Sequence, residues 1–366
     1  MSPSPPGPHS PLPGAPYPDC RPGQNTAPRP DQRSTPCHPS FRSGPFGAAR
    51  RSAHPMPRAV GMSPHFSPFL PCGILKKRRY PASYPSAFPV QKGASMPNYF
   101  AHLIFGGKVL QSLPQPLAAQ IREERAAFHL GCLGPDPLFF YRPALPNPYR
   151  REGMKMHGEN AAPAFQRLAL AIREGLPQAG SYAAGFLCHL ALDSACHGYI
   201  NARAAVGPVE HIPMEAELDR KLMESRGLPV HGRVYLPAID DPAVFEVAAA
   251  AFAVSGPEHL RRGYQAMRRD SLLFAMGYGK RRGELMNWAF RHIPPCRGLD
   301  GVILRREPAP GTEESSRQIL RRLVGVVPET AKQICAYLDA AQTGAPIPLW
   351  LNRDFNGVRY PALSTY

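Results

Sequence analysis

The stretch Phe186 to Ile200 is apolar at most positions, yet it carries His189, Asp193 and His197 at four-residue steps. In a helix each such step turns only about 40°, so two imidazoles and a carboxylate share one side. Phe186, Leu187, Leu190, Leu192 and Ala195 surround them, which makes this a polar stripe in a buried helix. Buried groups of that kind are costly unless partnered. Two arrangements provide partners. One is a divalent metal, since zinc takes His nitrogen and carboxylate oxygen. The other is an internal ladder in which each histidine donates to Asp193. The spacing alone leaves both open.

A second pair follows 14 residues after His197, where H-I-P-M-E sets His211 and Glu215 four apart. Pro213 falls in the first turn of the helix this implies, where its missing N–H does little harm, so both side chains converge. Alone, the pair reads equally as a cap or a surface contact. Two ligand-type pairs so close together favour metal. His129, seven residues before Asp136, is expected to be a helix-end histidine, and Cys188 and Cys196 core thiols. His231, His259 and His292 lack partners at ligand spacing and are expected at the surface or at helix ends.

Around this core the chain is uneven. Of its 46 prolines, 22 lie in residues 1–95, where 12 Lys or Arg face only Asp19 and Asp31. That segment shows no helical or alternating period and is expected to be a disordered Pro/Arg-rich tail, followed by a helical domain over residues 96–366. A start at Met96 is the other reading of the boundary, and a basic tail for membrane or nucleic-acid contact a third. The tail holds most of the net charge of +16, so the mild excess in the remainder suits an anionic substrate and solubility alike. Eight scattered cysteines with no C-x-x-C pair predict a reducing, cytoplasmic setting. No apolar run is long enough to span a bilayer.

Beyond Met96 the periodicity is helical. The pattern predicts a helix opened by Pro114 and Pro116 and running to Cys132, one capped by Ser181 and running to Tyr199, and one over Val209 to Arg226. Further helices are expected over Pro242 to Val254, Ser271 to His292 and Pro328 to Thr343. The arginine pairs at residues 261–262 and 268–269, with Lys280, Arg281 and Arg282, read first as a solvated face and second as a contact for anionic head groups or nucleic acid. Trp288, Trp350, Phe139, Phe140 and Tyr141 are expected mainly in packing.

Tyr99-Phe-Ala-His102, G-P-D at Gly134 to Asp136, M-H-G at Met156 to Gly158, H-L-A-L-D-S-A-C-H and H-I-P-M-E occur in this order. Together they resemble bacterial zinc-dependent phospholipase C, whose helical fold is shared with the single-strand zinc nucleases. The resemblance covers roughly residues 96–220. It implies an all-α fold and two or three zinc ions. His157, His189 and Asp193 would hold one, with Asp136 beside them as ligand or proton acceptor. His197, His211 and Glu215 would hold a second. His102 would bind a third, with Asp193 bridging and a terminal amine near Pro97 as a further ligand. It also implies hydrolysis of a phosphoester, with release of a phospholipid head group the leading expectation and no stable nucleic-acid partner. A zinc nuclease on the same cluster and a non-catalytic protein with structural zinc are the alternatives.

Overall fold

The structure is a computed structural model that describes residues 99–143, 145–293, 300–305 and 307–361. The expected tail over residues 1–95 and the position near Pro97 lie outside these residues. Among the described residues every regular element is helical, and the one β-bridge joins Arg353 to Arg359. The fold class is all-α, as expected. None of these helices is long and apolar enough to cross a membrane.

In chain order the α-helices are α1 (Tyr99–Ser112), α2 (Gln115–Glu123), α3 (Arg125–Cys132), α4 (Pro148–Met156), α5 (Ala162–Arg173) and α6 (Ala179–Ala205). They continue with α7 (His211–Glu224), α8 (Pro242–Ala249), α9 (Pro257–Gly277), α10 (Arg281–His292) and α11 (Thr312–Thr343). A 3-10 helix, Asp136–Phe140, lies between α3 and α4.

Helix α6 is the central element. It is buried on all sides from Ser181 to Asp193, because nearly every residue there is small or apolar. Two glycines let α3 cross it with backbones in contact. A Cβ on Gly131 would stand 2.2 Å from the Tyr182 carbonyl oxygen, and one on Gly185 would stand 2.1 Å from that of Phe128. Helix α11 covers another side of the core, where its Tyr337 hydroxyl donates to the Phe165 carbonyl at 2.9 Å.

Several boundaries differ from the sequence reading, each for a local reason. The 114–132 helix is two helices that break at Glu124, where ψ rises to 29°. Ser181 does not cap α6. The helix begins at Ala179 behind a left-handed Gln178, and Ser181 donates from inside it to Glu124 at 2.5 Å. The expected helix from Ser271 is the end of α9, which starts at Pro257 with His259 accepting from the Gly256 N–H. A Gly279 turn with φ 63° then separates α9 from α10. Helix α11 begins at Thr312 and passes through Pro328. That proline sits on an exposed face of the helix.

Candidate metal centre

Five segments bring the eight expected residues together. His102 comes from α1, Asp136 opens the 3-10 helix, and His157 follows α4. His189, Asp193 and His197 descend one side of α6, and His211 and Glu215 occupy the first turns of α7 with Pro213 between them. Gly134 makes the approach of Asp136 possible: its φ is +53°, and a Cβ there would lie 2.4 Å from the His189 ring. All eight are buried except His157 and His211, whose side chains are 16% and 15% exposed and so form the open edge of the cluster.

Asp193 is the hub. Its Oδ1 lies 3.2 Å from His102 Nε2 and 3.8 Å from His197 Nε2, while Oδ2 lies 3.2 Å from His189 Nε2 and 3.8 Å from His157 Nε2. Asp136 Oδ1 is 3.3 Å from His157 Nε2 and 3.8 Å from His189 Nε2. Glu215 Oε1 lies between His197 Nε2 at 3.3 Å and His211 Nε2 at 3.0 Å. Three triads of ligand atoms lie within 4.8 Å of one another: His102, His189 and Asp193; Asp136, His157 and His189; His197, His211 and Glu215. Two ligands bound tetrahedrally at about 2.1 Å would be about 3.4 Å apart, near the middle of the observed range.

The far sides of three rings show which nitrogen each turns toward the cluster. His189 Nδ1 faces the Cys132 carbonyl at 3.1 Å, His197 Nδ1 that of Phe355 at 3.1 Å, and His157 Nδ1 that of Gly153 at 2.9 Å. A carbonyl accepts only, so Nδ1 of each of these rings donates and Nε2 is the nitrogen turned into the cluster, where it can offer a lone pair to a cation in place of a proton. Consistent with this, Nε2 of His102, His157 and His189 and Oδ1 of Asp136 are buried without a hydrogen-bond partner of acceptable geometry. The donor set and its orphaned atoms fit zinc.

The side chains set up opposing fields. Burial disfavours the Asp193 charge, but the imidazoles of His197, His189 and His102 outweigh it and hold the carboxyl well below its ordinary range. Burial likewise disfavours a proton on His197, yet Asp193 and Glu215 carry its pKa up to about 9. Glu215 falls to about 2 against its own burial, through His211 and His197. A dense patch of negative charge thus draws a cation, and metal and protons compete for the same ring nitrogens.

Three supporting residues escape the motif reading. Phe355 lies far along the chain, and besides its carbonyl it lays its ring 5.0 Å from His157 and 5.5 Å from His189. Asn356 donates to the His157 carbonyl at 2.7 Å and accepts from Asn201 at 3.2 Å, and the Asn201 carbonyl meets His211 Nδ1 at 3.0 Å. The bridge joins the two exposed edges. Asp219, one turn beyond Glu215, accepts from the N–H groups of Phe100 at 3.1 Å and Ala101 at 2.8 Å and so fixes the start of α1 just ahead of His102. Its burial pushes its carboxyl well above the ordinary range. The four-residue step from Glu215 was a usable signal for Asp219, whereas nothing periodic marks Phe355 or Asn356.

The histidines set aside on sequence grounds stay apart from the cluster. His129 packs beside Phe128, and burial and then Arg125 lower its pKa to about 4. His259 stacks on Tyr149 at the start of α9, His292 stacks on Trp288, and His231 is exposed. Cys188 and Cys196 are buried free thiols. Phe139 packs 5.1 Å from the His157 ring. The zinc-dependent phospholipase C family model matches residues 101–246, a span that includes all eight residues of the cluster. No curated protein and no solved structure matches the chain significantly.

Proposed function

Through residues 101–246 the chain belongs to the zinc-dependent phospholipase C family, and on that footing we propose that it hydrolyses a phosphodiester with release of a phosphorylated head group from a phospholipid. The hydrolase domain spans residues 96–366 and works in a reducing, cytoplasmic compartment. One observation carries the reading: the ring nitrogens and carboxylate oxygens of eight residues, six of them buried, face one another, while the outer nitrogens of His157, His189, His197 and His211 meet oxygen acceptors.

His157, His189 and Asp136 would hold one ion, His197, His211 and Glu215 a second, and His102 with Asp193 a third. Bound there, zinc would lower the pKa of a water to near neutrality and offset charge on the phosphoryl oxygens. Asp136 Oδ1, unpartnered and next to the exposed edge at His157, takes the proton of the attacking water as the ester P–O bond breaks. The group of His197, His211 and Glu215 would supply three protein ligands, the number a catalytic rather than a structural zinc takes. Phe139 and Phe355 are buried against the imidazoles and offer no exposed ring for stacking bases, which favours a head group over nucleic acid.

The test is elemental analysis of the purified full chain beside assays on short-chain phospholipid, phosphomonoester and single-stranded DNA. Asp136→Asn should lower phospholipid turnover about 10²- to 10⁴-fold and leave zinc on the His197, His211 and Glu215 group. Faster cleavage of DNA than of phospholipid, or a zinc-free active protein, would refute the proposal.

A further inference from the structure

Away from the metal centre, α9 and α10 form an antiparallel hairpin with an unusual outer surface. Six of the fifteen exposed large apolar side chains among the described residues lie between Leu272 and Ile293. Leu285 is 64% exposed, Trp288 58% and Leu273 53%. On α10 the exposed positions Arg281, Leu285, Trp288 and His292 recur every three or four residues, so they form one stripe opposite the buried Gly283 and Asn287. On α9, Arg269, Leu272 and Met276 do the same, and exposed Lys280 follows in the turn just ahead of α10. The sequence reading took this stretch as a solvated charged face, but its outward side is apolar at the centre and basic at the edges.

Both charge and anchoring bear on what covers this surface. From Arg268 to Ile293 six basic residues outnumber Asp270 and Glu284; Asp270 is paired with Arg269 and Arg291 with Asp300, each at 2.8 Å, which leaves the basic excess at Lys280, Arg281 and Arg282. A fringe of that sign repels basic partners and matches an anionic sheet. The hairpin is also rigidly placed. Gly263 of α9 packs on the Pro137 carbonyl of the segment that carries Asp136, and Ala275 and Tyr278 share a small core with Ile212 and Ala216 of α7, the helix of His211 and Glu215.

We propose that the α9–α10 hairpin is the surface by which the protein docks on anionic phospholipid bilayers, with Leu272, Met276, Leu285 and Trp288 entering the interface and Lys280 and Arg281 meeting the phosphates. Amphipathic helices with a tryptophan and leucines bounded by basic residues lie in the interfacial plane in this way. The proposal rests on the lipid reading of the metal centre and adds where the lipid surface sits.

Vesicles of phosphatidylcholine alone and of phosphatidylcholine mixed with phosphatidylserine distinguish the two claims when binding and turnover are measured separately. The Asp136→Asn chain should sediment with the mixed vesicles, less so at high salt, with a blue shift in tryptophan emission that Trp288→Phe abolishes. Lys280→Gln with Arg281→Gln should weaken partitioning at least about tenfold, and Leu285→Ser with Trp288→Ser should do likewise. Both pairs should turn over a soluble short-chain phosphodiester at the wild-type rate, which also shows that they are folded. Undiminished vesicle binding in both pairs overturns the docking surface while leaving the hydrolase reading intact. So does a lipid-free dimer, or a single-stranded DNA complex, that Leu285→Ser with Trp288→Ser disrupts. Loss of turnover on the soluble ester in the wild-type chain counts against the hydrolase reading instead.

Discussion

At the scale of single residues, the cluster depends on groups that never reach its centre. A ring nitrogen is useful to a metal only when the opposite nitrogen is fixed, and here carbonyls of Cys132, Gly153 and Phe355 and the Asn201 side chain do the fixing. Asn356 matters most among the side chains because it is tied to both exposed edges, through the His157 carbonyl and through Asn201 to His211. Asn356→Ala is therefore expected to weaken zinc binding about tenfold, the lower end of what outer partners of ligands contribute. Competition with a chromophoric chelator measures it, and unchanged affinity would show that the bridge does not orient the rings. His189, Asp193 and His197 were legible because a helix repeats, so ligand spacing on one face is written in the chain. Phe355 and Asn356 were not, because the loop that delivers them has no period and meets α6 only in the folded chain.

At the scale of elements, the depth to which α3 sinks into α6 sets where the ligands meet. Gly131 and Gly185 remove two side chains from that crossing, and the same approach carries the Gly134 turn and Asp136 up to the His189 ring. In Gly185→Ala the new methyl would collide with the Phe128 carbonyl, which is backbone and cannot rotate away. We expect a loss of about 1–3 kcal/mol, read as a melting temperature lower by roughly 2–4 °C per kcal/mol. The contrasting Gly107→Ala has open space around the added methyl and should leave stability unchanged or slightly raised. Equal melting of the two variants would rule out the tight crossing. Helix existence was readable where apolar residues recur, as in α6 and α7. Helix ends were not. The first half of α9 was hidden by its arginines, although Leu260, Tyr264, Met267 and Ser271 mark its buried side, and Ser181 looked like a cap because a serine that bonds a distant glutamate looks no different in sequence.

At the scale of the whole molecule, the cluster joins parts of the chain that have little else in common. His102 lies in the first described helix and Phe355 near the last described residues, and between them α6 and α7 contribute five ligand-type side chains. Without a cation, buried Asp136, Asp193 and Glu215 would sit among imidazoles that protonate to balance them, at a large desolvation cost. A metal that binds only the folded chain removes that cost and adds its own linkage, about 2.7 kcal/mol when free zinc is a hundredfold above its dissociation constant. Treatment with a chelator should thus lower the melting temperature by several degrees, and added zinc should restore it. Because protons and zinc contend for the same nitrogens, the zinc-dependent part of the stability should shrink as pH falls toward about 5, whereas a chelated sample, its His197 already protonated, should lose stability only at lower pH, where the depressed carboxyls of Asp193 and Glu215 take up protons. A melting temperature indifferent to both chelator and zinc would mean that the eight side chains are held by the fold alone and that no metal organises them.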